Sequence, residues 1–279
     1  RGVKGLHRFL TVHDLACIIH PEASEAGGAF LESILKSVAP NDYVICVSHS
    51  TKRDLLNFRK DLDPNRVFVI HSAAAERFQP VTDRETLVNV RRRYGITDAP
   101  YFLSVSTLEK RKNLVSLIEA FFHFSQLNPD CQLVLVGPSA SAEKAIRTKI
   151  ENLGLSKNRV RFTGFVDDND LPALYSDCLA FVYPSFYEGF GFPPLEAMQC
   201  GAVVISSNGG SLPEVVGDAG LLVSPTNTPA LAEALHQVAT SNGLREELKK
   251  RALQQAKKFS WKKNTEELIK SYRLALGST

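Results

Sequence analysis

The sequence contains no apolar run approaching the roughly 20 residues of a membrane helix. Its opening stretch, RGVKGLHRFLTVHD, has an apolar part only a few residues long, too short for a secretory signal. Both absences point to a cytoplasmic protein. Cysteine is sparse: five residues, at 17, 46, 131, 178 and 200, odd in number, far apart and without CxxC spacing. That excludes a disulfide framework and a thiolate zinc pattern, and it leaves all five as small buried hydrophobes. Charge of one sign is also scarce, and a net +3 is too small to imply nucleic-acid binding. Repeats and low-complexity segments are absent. The remaining composition, 44% hydrophobic and 23% charged over 279 residues, suits one large or two ordinary globular domains.

Short basic clusters do occur, at 91–93, 110–112, 249–251 and 262–263. The first, third and fourth read as solvated helix faces, with peripheral contact to an anionic inner membrane face as the alternative. From about residue 100, apolar runs rich in β-branched and aromatic residues (101–106, 132–137, 159–164, 178–185, 202–206, 220–224) alternate with helical patterns. Leu114, Leu117, Ile118 and Phe121 fall at i, i+3, i+4 and i+7, and a second helix is expected after Thr228 as N-cap with Pro229 at its first position. Such repeated units imply an α/β fold, a mainly parallel, doubly wound Rossmann-like sheet. Residues 8–12, 43–48 and 66–72 give a shorter version of the same alternation, an incomplete N-terminal lobe. The organisation expected is 1–98, a partial lobe plus linker; 99–258, a full Rossmann-like lobe; and 259–279, a helix packing back toward the first lobe with Leu268, Tyr272 and Leu276 along one side.

In open parallel sheets ligands bind beyond the carboxyl ends of the strands. The loop YPSFYEGFGFPPLEAMQCG (183–201) lies at such an end and leads into a helix starting near Pro193 or Pro194. It carries Glu188 in the loop and Glu196 in the helix's first turn, with glycines at 189 and 191. A helix amino end favours phosphate, and carboxylates accept hydrogen bonds from vicinal hydroxyls. A ligand with phosphate in the middle and hydroxyls at both ends fits, which describes a nucleotide sugar. The plainer reading is a proline helix start with Glu196 complementing the dipole. At 106–114, Lys110, Arg111 and Lys112 could neutralise a diphosphate, or form an ordinary basic loop. The run 163–171 could offer Phe165 and backbone groups to a nucleobase, or only turns and caps. Ser211 and Glu214 form a Ser-x-x-Glu capping box, which makes Glu214 structural. His13 ends a strand, where it could act across a cleft or merely be hydrogen-bonded.

Taken together these segments resemble the family 4 retaining glycosyltransferases of bacterial polysaccharide and glycan synthesis, which have the GT-B architecture of two facing Rossmann-like lobes. EGFGFPPLEAM resembles the family's Glu-x7-Glu signature, and VSTLEKRKNL the segment with its pyrophosphate-binding lysine; TVHDL, CVSHSTKRDLL, FVIHSAAAERFQP, TGFVDDNDLPALYS and SSNGGSLPEVVGDAGLLVSP follow in family order. The resemblance implies an acceptor-side first lobe and a donor-binding second. It implies that Glu188 contacts the donor sugar, Glu196 the ribose and Lys112 the diphosphate. Backbone around Phe190, Gly191, Phe192 and Leu195 would approach sugar and phosphate. Gly164, Phe165 and Val166 would lie near the base, and His13 would face the sugar. Relatives have an arginine where this chain has Ser106-Thr107; Arg111 is the expected substitute, with Thr107 beside it.

The implied reaction moves a hexose from a nucleoside diphosphate sugar, UDP favoured over GDP-mannose, to a saccharide or lipid-linked saccharide hydroxyl with retention. No cofactor and no metal are expected. A nucleotide-sugar-binding module without transferase activity is the alternative. A nicotinamide oxidoreductase would need GxGxxG after the first strand, where STLEKRKN stands instead.

Overall fold

A computed structural model describes residues 7–24, 27–128, 130–156 and 158–277. Two parallel sheets organise it. The first, in order β1-β2-β3, joins Phe9–Val12, Tyr43–Cys46 and Val67–Val69. The second, in order β6-β5-β4-β7-β8-β9, joins Val160–Gly164, Gln132–Val136, Tyr101–Val105, Ala180–Tyr183, Val204–Ser207 and Gly220–Val223. The helices are α1 (Ala16–Ile19), α2 (Gly28–Ser37), α3 (His49–Phe58), α4 (Arg84–Arg93), α5 (Leu114–Ser125), α6 (Glu143–Asn152), α7 (Leu171–Asp177), α8 (Phe192–Gln199), α9 (Leu212–Val216), α10 (Thr228–Thr240), α11 (Asn242–Ala256) and α12 (Trp261–Ala275).

The larger sheet is covered on both faces, and strand alternation divides its side chains between two apolar layers. Tyr101, Leu103, Phe181 and Val204 point into the layer containing Leu195, Met198 and Val215. Phe102, Leu133, Val182 and Ile205 point into the layer of α5 and α10, with Leu117, Ile118, Phe121, Leu231 and Leu235. Because β5 and β7 flank β4 on opposite sides, the chain reverses its winding at β4 and β7. That switch point opens a crevice beyond their carboxyl ends.

Several local expectations change. The cap of α10 is Asn227, whose side chain accepts from the Ala230 amide at 3.0 Å, so Thr228 is already helical. The face of α12 turned inward runs through Leu268, Ser271 and Ala275, while Tyr272 and Leu276 are exposed; the i, i+4 pattern is equally met by two faces, and packing selects the one with small residues. Tyr272 nevertheless meets Phe9 edge-on at 4.6 Å, and Asn264 donates to the His71 carbonyl at 2.8 Å. In the 91–93 cluster Arg92 and Arg93 are exposed as expected, while Arg91 is drawn inward. Arg91 pairs with Asp177 and donates to the Thr97 and Ala99 carbonyls, and Arg93 pairs with Asp170 at 2.6 Å, fastening α4 to α7.

The two sheets meet through α3 and the loop after β7. Thr51 Oγ1 donates to the Gly189 carbonyl at 3.2 Å, and Tyr187 donates to Asp54 at 2.7 Å. Gly189 is required by proximity: a Cβ there would lie 1.9 Å from the His13 carbonyl oxygen.

Candidate functional site

The switch-point crevice is built by two short turns. After β4 the chain makes one 3-10 turn, Lys110–Lys112, and reverses through Asn113 at φ 57°. Asparagine tolerates this left-handed conformation, and its side-chain amide is held by the Pro184 and Pro225 carbonyls at 3.1 and 2.7 Å. The reversal turns Lys112 inward, leaving it 8% exposed. Its Nζ donates to Tyr183 Oη at 2.9 Å and to Glu188 Oε1 at 2.8 Å.

After β7 the second turn brings Glu188 to the same point. Oε1 also accepts from Ser185 Oγ at 2.6 Å and Tyr183 Oη at 3.1 Å, and Oε2 pairs with Arg111 at 2.8 Å. Burial alone would raise the pKa of this carboxyl; Lys112 and Arg111 outweigh it and hold the value below the ordinary one. Glu188 is therefore a buried anion serving as acceptor for four donors. Ser211 Oγ donates to the Glu188 and Phe190 carbonyls at 3.0 and 2.6 Å, which keeps the loop in place.

Above this pair lies a cavity of about 310 Å³ lined by His13, Asp14 and Val47 from the first sheet and by Ser106, Thr107, Glu109, Lys112, Tyr183 and residues 188–193 from the second. The α8 amino end forms one wall. Gly191, at φ 109°, caps this helix without a side-chain bond. Pro193 and Pro194 carry no N–H, so in the first turn only Phe192, with the adjoining Gly191, offers backbone donors to an anion.

The structure gathers His13, Thr107, Lys112, Glu188, Phe190, Gly191 and Phe192 around one cavity. Six other expected residues do not line it. Arg111 is committed to Glu188 and to the Tyr187 carbonyl at 2.9 Å, so it supports the glutamate rather than facing the opening. Leu195 is fully buried core. Gly164 ends β6 and Phe165 and Val166 follow it, two strands or about 10 Å from β4; Phe165 is 75% exposed and Val166 is buried. Glu196 lies beyond the first turn of α8, which removes the simple dipole reading. It accepts from Tyr175 Oη at 3.1 Å, and burial, reinforced by Asp168, pushes its carboxyl up to about 7.

Sequence reasoning missed Tyr183, which bridges Lys112 and Glu188, and Ser106, whose buried Oγ has no partner among the described residues. A tyrosine closing a strand looks like core in any sequence; no periodic signal separates the two roles. The capping box was also misread. Ser211 makes no side-chain cap, and Glu214 instead crosses to the first lobe, where it accepts from the His49 amide at 3.0 Å and meets the His71 ring.

Comparisons with known proteins place the chain among glycosyltransferases. Residues 89–257 match the family model of glycosyl transferases group 1. An O-antigen chain mannosyltransferase B of Escherichia coli is 34% identical over 271 residues, covering 95% of this chain and 69% of that protein. The serotype-specific mannosyltransferase WbdA of Escherichia coli is 33% identical over 275 residues, 96% of this chain; the chain spans only 33% of its length. Among solved structures, sucrose-phosphate synthase from Thermosynechococcus elongatus has TM-score 0.78 and 26% identity, covering 97% of this chain and 68% of that one. HepE of Anabaena, solved with UDP and glucose, has TM-score 0.80 at 22% identity, covering 95% and 70%, a likeness of fold.

Proposed function

We propose, since this chain belongs to the glycosyl transferases group 1 family, that its cavity binds a nucleoside diphosphate sugar and that Lys112 carries the diphosphate. The observation behind this reading is the buried lysine at the topological switch point. Two of the three Lys112 N–H donors are used by Tyr183 and Glu188, which leaves one for a phosphate oxygen. The α8 amino end adds the Gly191 and Phe192 amides, and Ser106 Oγ, lacking a protein partner, is a further donor. Negative charge accumulating on a departing diphosphate would be stabilised by these fixed donors.

The reaction we infer is hexosyl transfer to a saccharide or lipid-linked saccharide hydroxyl, with retention. The leaving diphosphate departs from the face the acceptor approaches and takes the acceptor's proton. Glu188 fixes Lys112 and borders the sugar's place; His13 borders it from the first lobe. A nucleotide extending from the cavity past β5 would bring its base to Phe165, with Glu196 as the carboxylate for ribose. Two mannosyltransferase relatives at 33–34% identity favour mannose as the sugar, and with it GDP over UDP.

The test is release of free nucleoside diphosphate from GDP-mannose and from UDP-hexoses, with a mannose-terminated oligosaccharide as acceptor. One donor should support transfer, and Lys112→Met should reduce it at least about 100-fold. Donor-independent phosphorolysis of the oligosaccharide, with no transfer from any nucleotide sugar, would defeat the reading.

A further inference from the structure

We propose that His49, His71 and Glu214 form a binding site for one divalent transition-metal ion of the zinc class at the junction of the two lobes. The ring nitrogens of the two histidines and a carboxylate oxygen of Glu214 lie within 4.8 Å of one another. None of the three lines the cavity around Lys112. Two neutral imidazoles and one carboxylate are a donor set suited to zinc, and three protein ligands leave a position for water.

Two of the ligands are held by surroundings that do not depend on an ion. The His71 ring is packed edge-on against Phe259 at 5.6 Å and tilted against Phe190 at 6.3 Å, and its own carbonyl is held by Asn264. The Glu214 carboxylate accepts from the His49 amide through both oxygens at 3.0 Å, at an α3 amino end already fixed by Ser48 Oγ on the Thr51 amide. Such outer contacts orient ligands before binding. The third ligand, the His49 ring, is exposed and stands 5.7 Å from the His71 ring, edge to face.

Ligand atoms on a tetrahedral zinc stand about 3.3 Å apart, given bonds of about 2.05 Å. The three ligand atoms lie within 4.8 Å of one another, so reaching that spacing asks the His71–Glu214 contact to open and the exposed His49 ring to adjust. Binding would replace the direct contact between His71 Nε2 and Glu214. Since His49 and His71 follow strands of the first sheet and Glu214 lies on α9 between two strands of the second, the ion would also tie the lobes together.

The test titrates ZnCl2 into the tag-free 279-residue chain by calorimetry, and CoCl2 by visible absorption. We expect one ion per chain, intense cobalt d–d bands of a low-coordinate site, and a rise in melting temperature reversed by EDTA. His49→Ala removes only an exposed ring and keeps the amide on Glu214; it should fold like wild type in EDTA yet bind zinc at least about tenfold more weakly. His71→Ala should do the same and lose the cobalt bands. Absence of stoichiometric binding, or equal affinity in wild type and His49→Ala, would overturn the proposal and leave the three residues as a hydrogen-bonded contact between lobes.

Discussion

A carboxylate buried against two cations is the residue-scale feature on which the rest depends. Glu188 neutralises both Lys112 and Arg111, so its removal strands two charges, whereas removal of Lys112 leaves Glu188 with Arg111, Ser185 and Tyr183. Glu188→Ala should therefore cost about 3–5 kcal/mol in urea unfolding, and Lys112→Met distinctly less. The reverse order would show that Arg111 alone does not satisfy the glutamate. Glu196 makes the opposite electrostatic case. Its folded-state value near 7 exceeds the ordinary value of 4.5, so between those pH values the folded chain holds a proton that the unfolded chain has released. Stability from this group is present below the unfolded value and is lost as pH rises toward 7. Glu196→Gln should match wild type at pH 4 and exceed it at pH 8 by on the order of 3 kcal/mol, measured by chemical denaturation. A variant no more stable than wild type at pH 8 would contradict that sign. Glu188 and Lys112 stood out in the sequence because they lie in loops beyond the carboxyl ends of strands, and Glu196 because it falls early in the helix that follows one of them. The diversion of Arg111 to Glu188 did not, since adjacent basic residues read alike until the 3-10 turn separates their directions.

At the scale of elements, strands and helices were legible from period and punctuation, because a buried parallel sheet demands short apolar runs and covering helices. The strand ends of β4 and β7, which position Lys112 and Glu188, fell where the apolar runs ended. Contacts between elements were not legible. Nothing in the spacing of Ser211 and Glu214 distinguishes a cap from a carboxylate reaching another lobe, and the choice is made by His49 and His71, more than 140 residues earlier. The tight approach of the two lobes is likewise set by one residue. Gly189→Ala would press a methyl group into the His13 carbonyl and against the Asp14 Cβ. It should lower stability by about 1–3 kcal/mol and weaken nucleotide binding. Gly243→Ala, where a Cβ meets nothing within 4 Å near the start of α11, should instead raise stability by about 0.5–1 kcal/mol. Equal thermal shifts for both variants would mean that the lobe contact at 189 is loose.

For the whole molecule, the parallel topology and its winding reversal bring a lysine and a helix amino end to one crevice, while the first sheet closes that crevice with His13, Asp14 and Val47. The chain belongs to the group 1 glycosyl transferases, and the central proposal made for this crevice is a diphosphate seat on Lys112. The direct test is calorimetric titration of GDP, UDP, ADP and NAD into the wild-type chain and Lys112→Met. The account predicts that GDP or UDP binds at one site per chain, that ADP and NAD do not, and that affinity falls at least about tenfold in the variant, a loss of about 1.4 kcal/mol. Binding of NAD alone, or nucleoside diphosphate affinity unchanged by Lys112→Met, would contradict it.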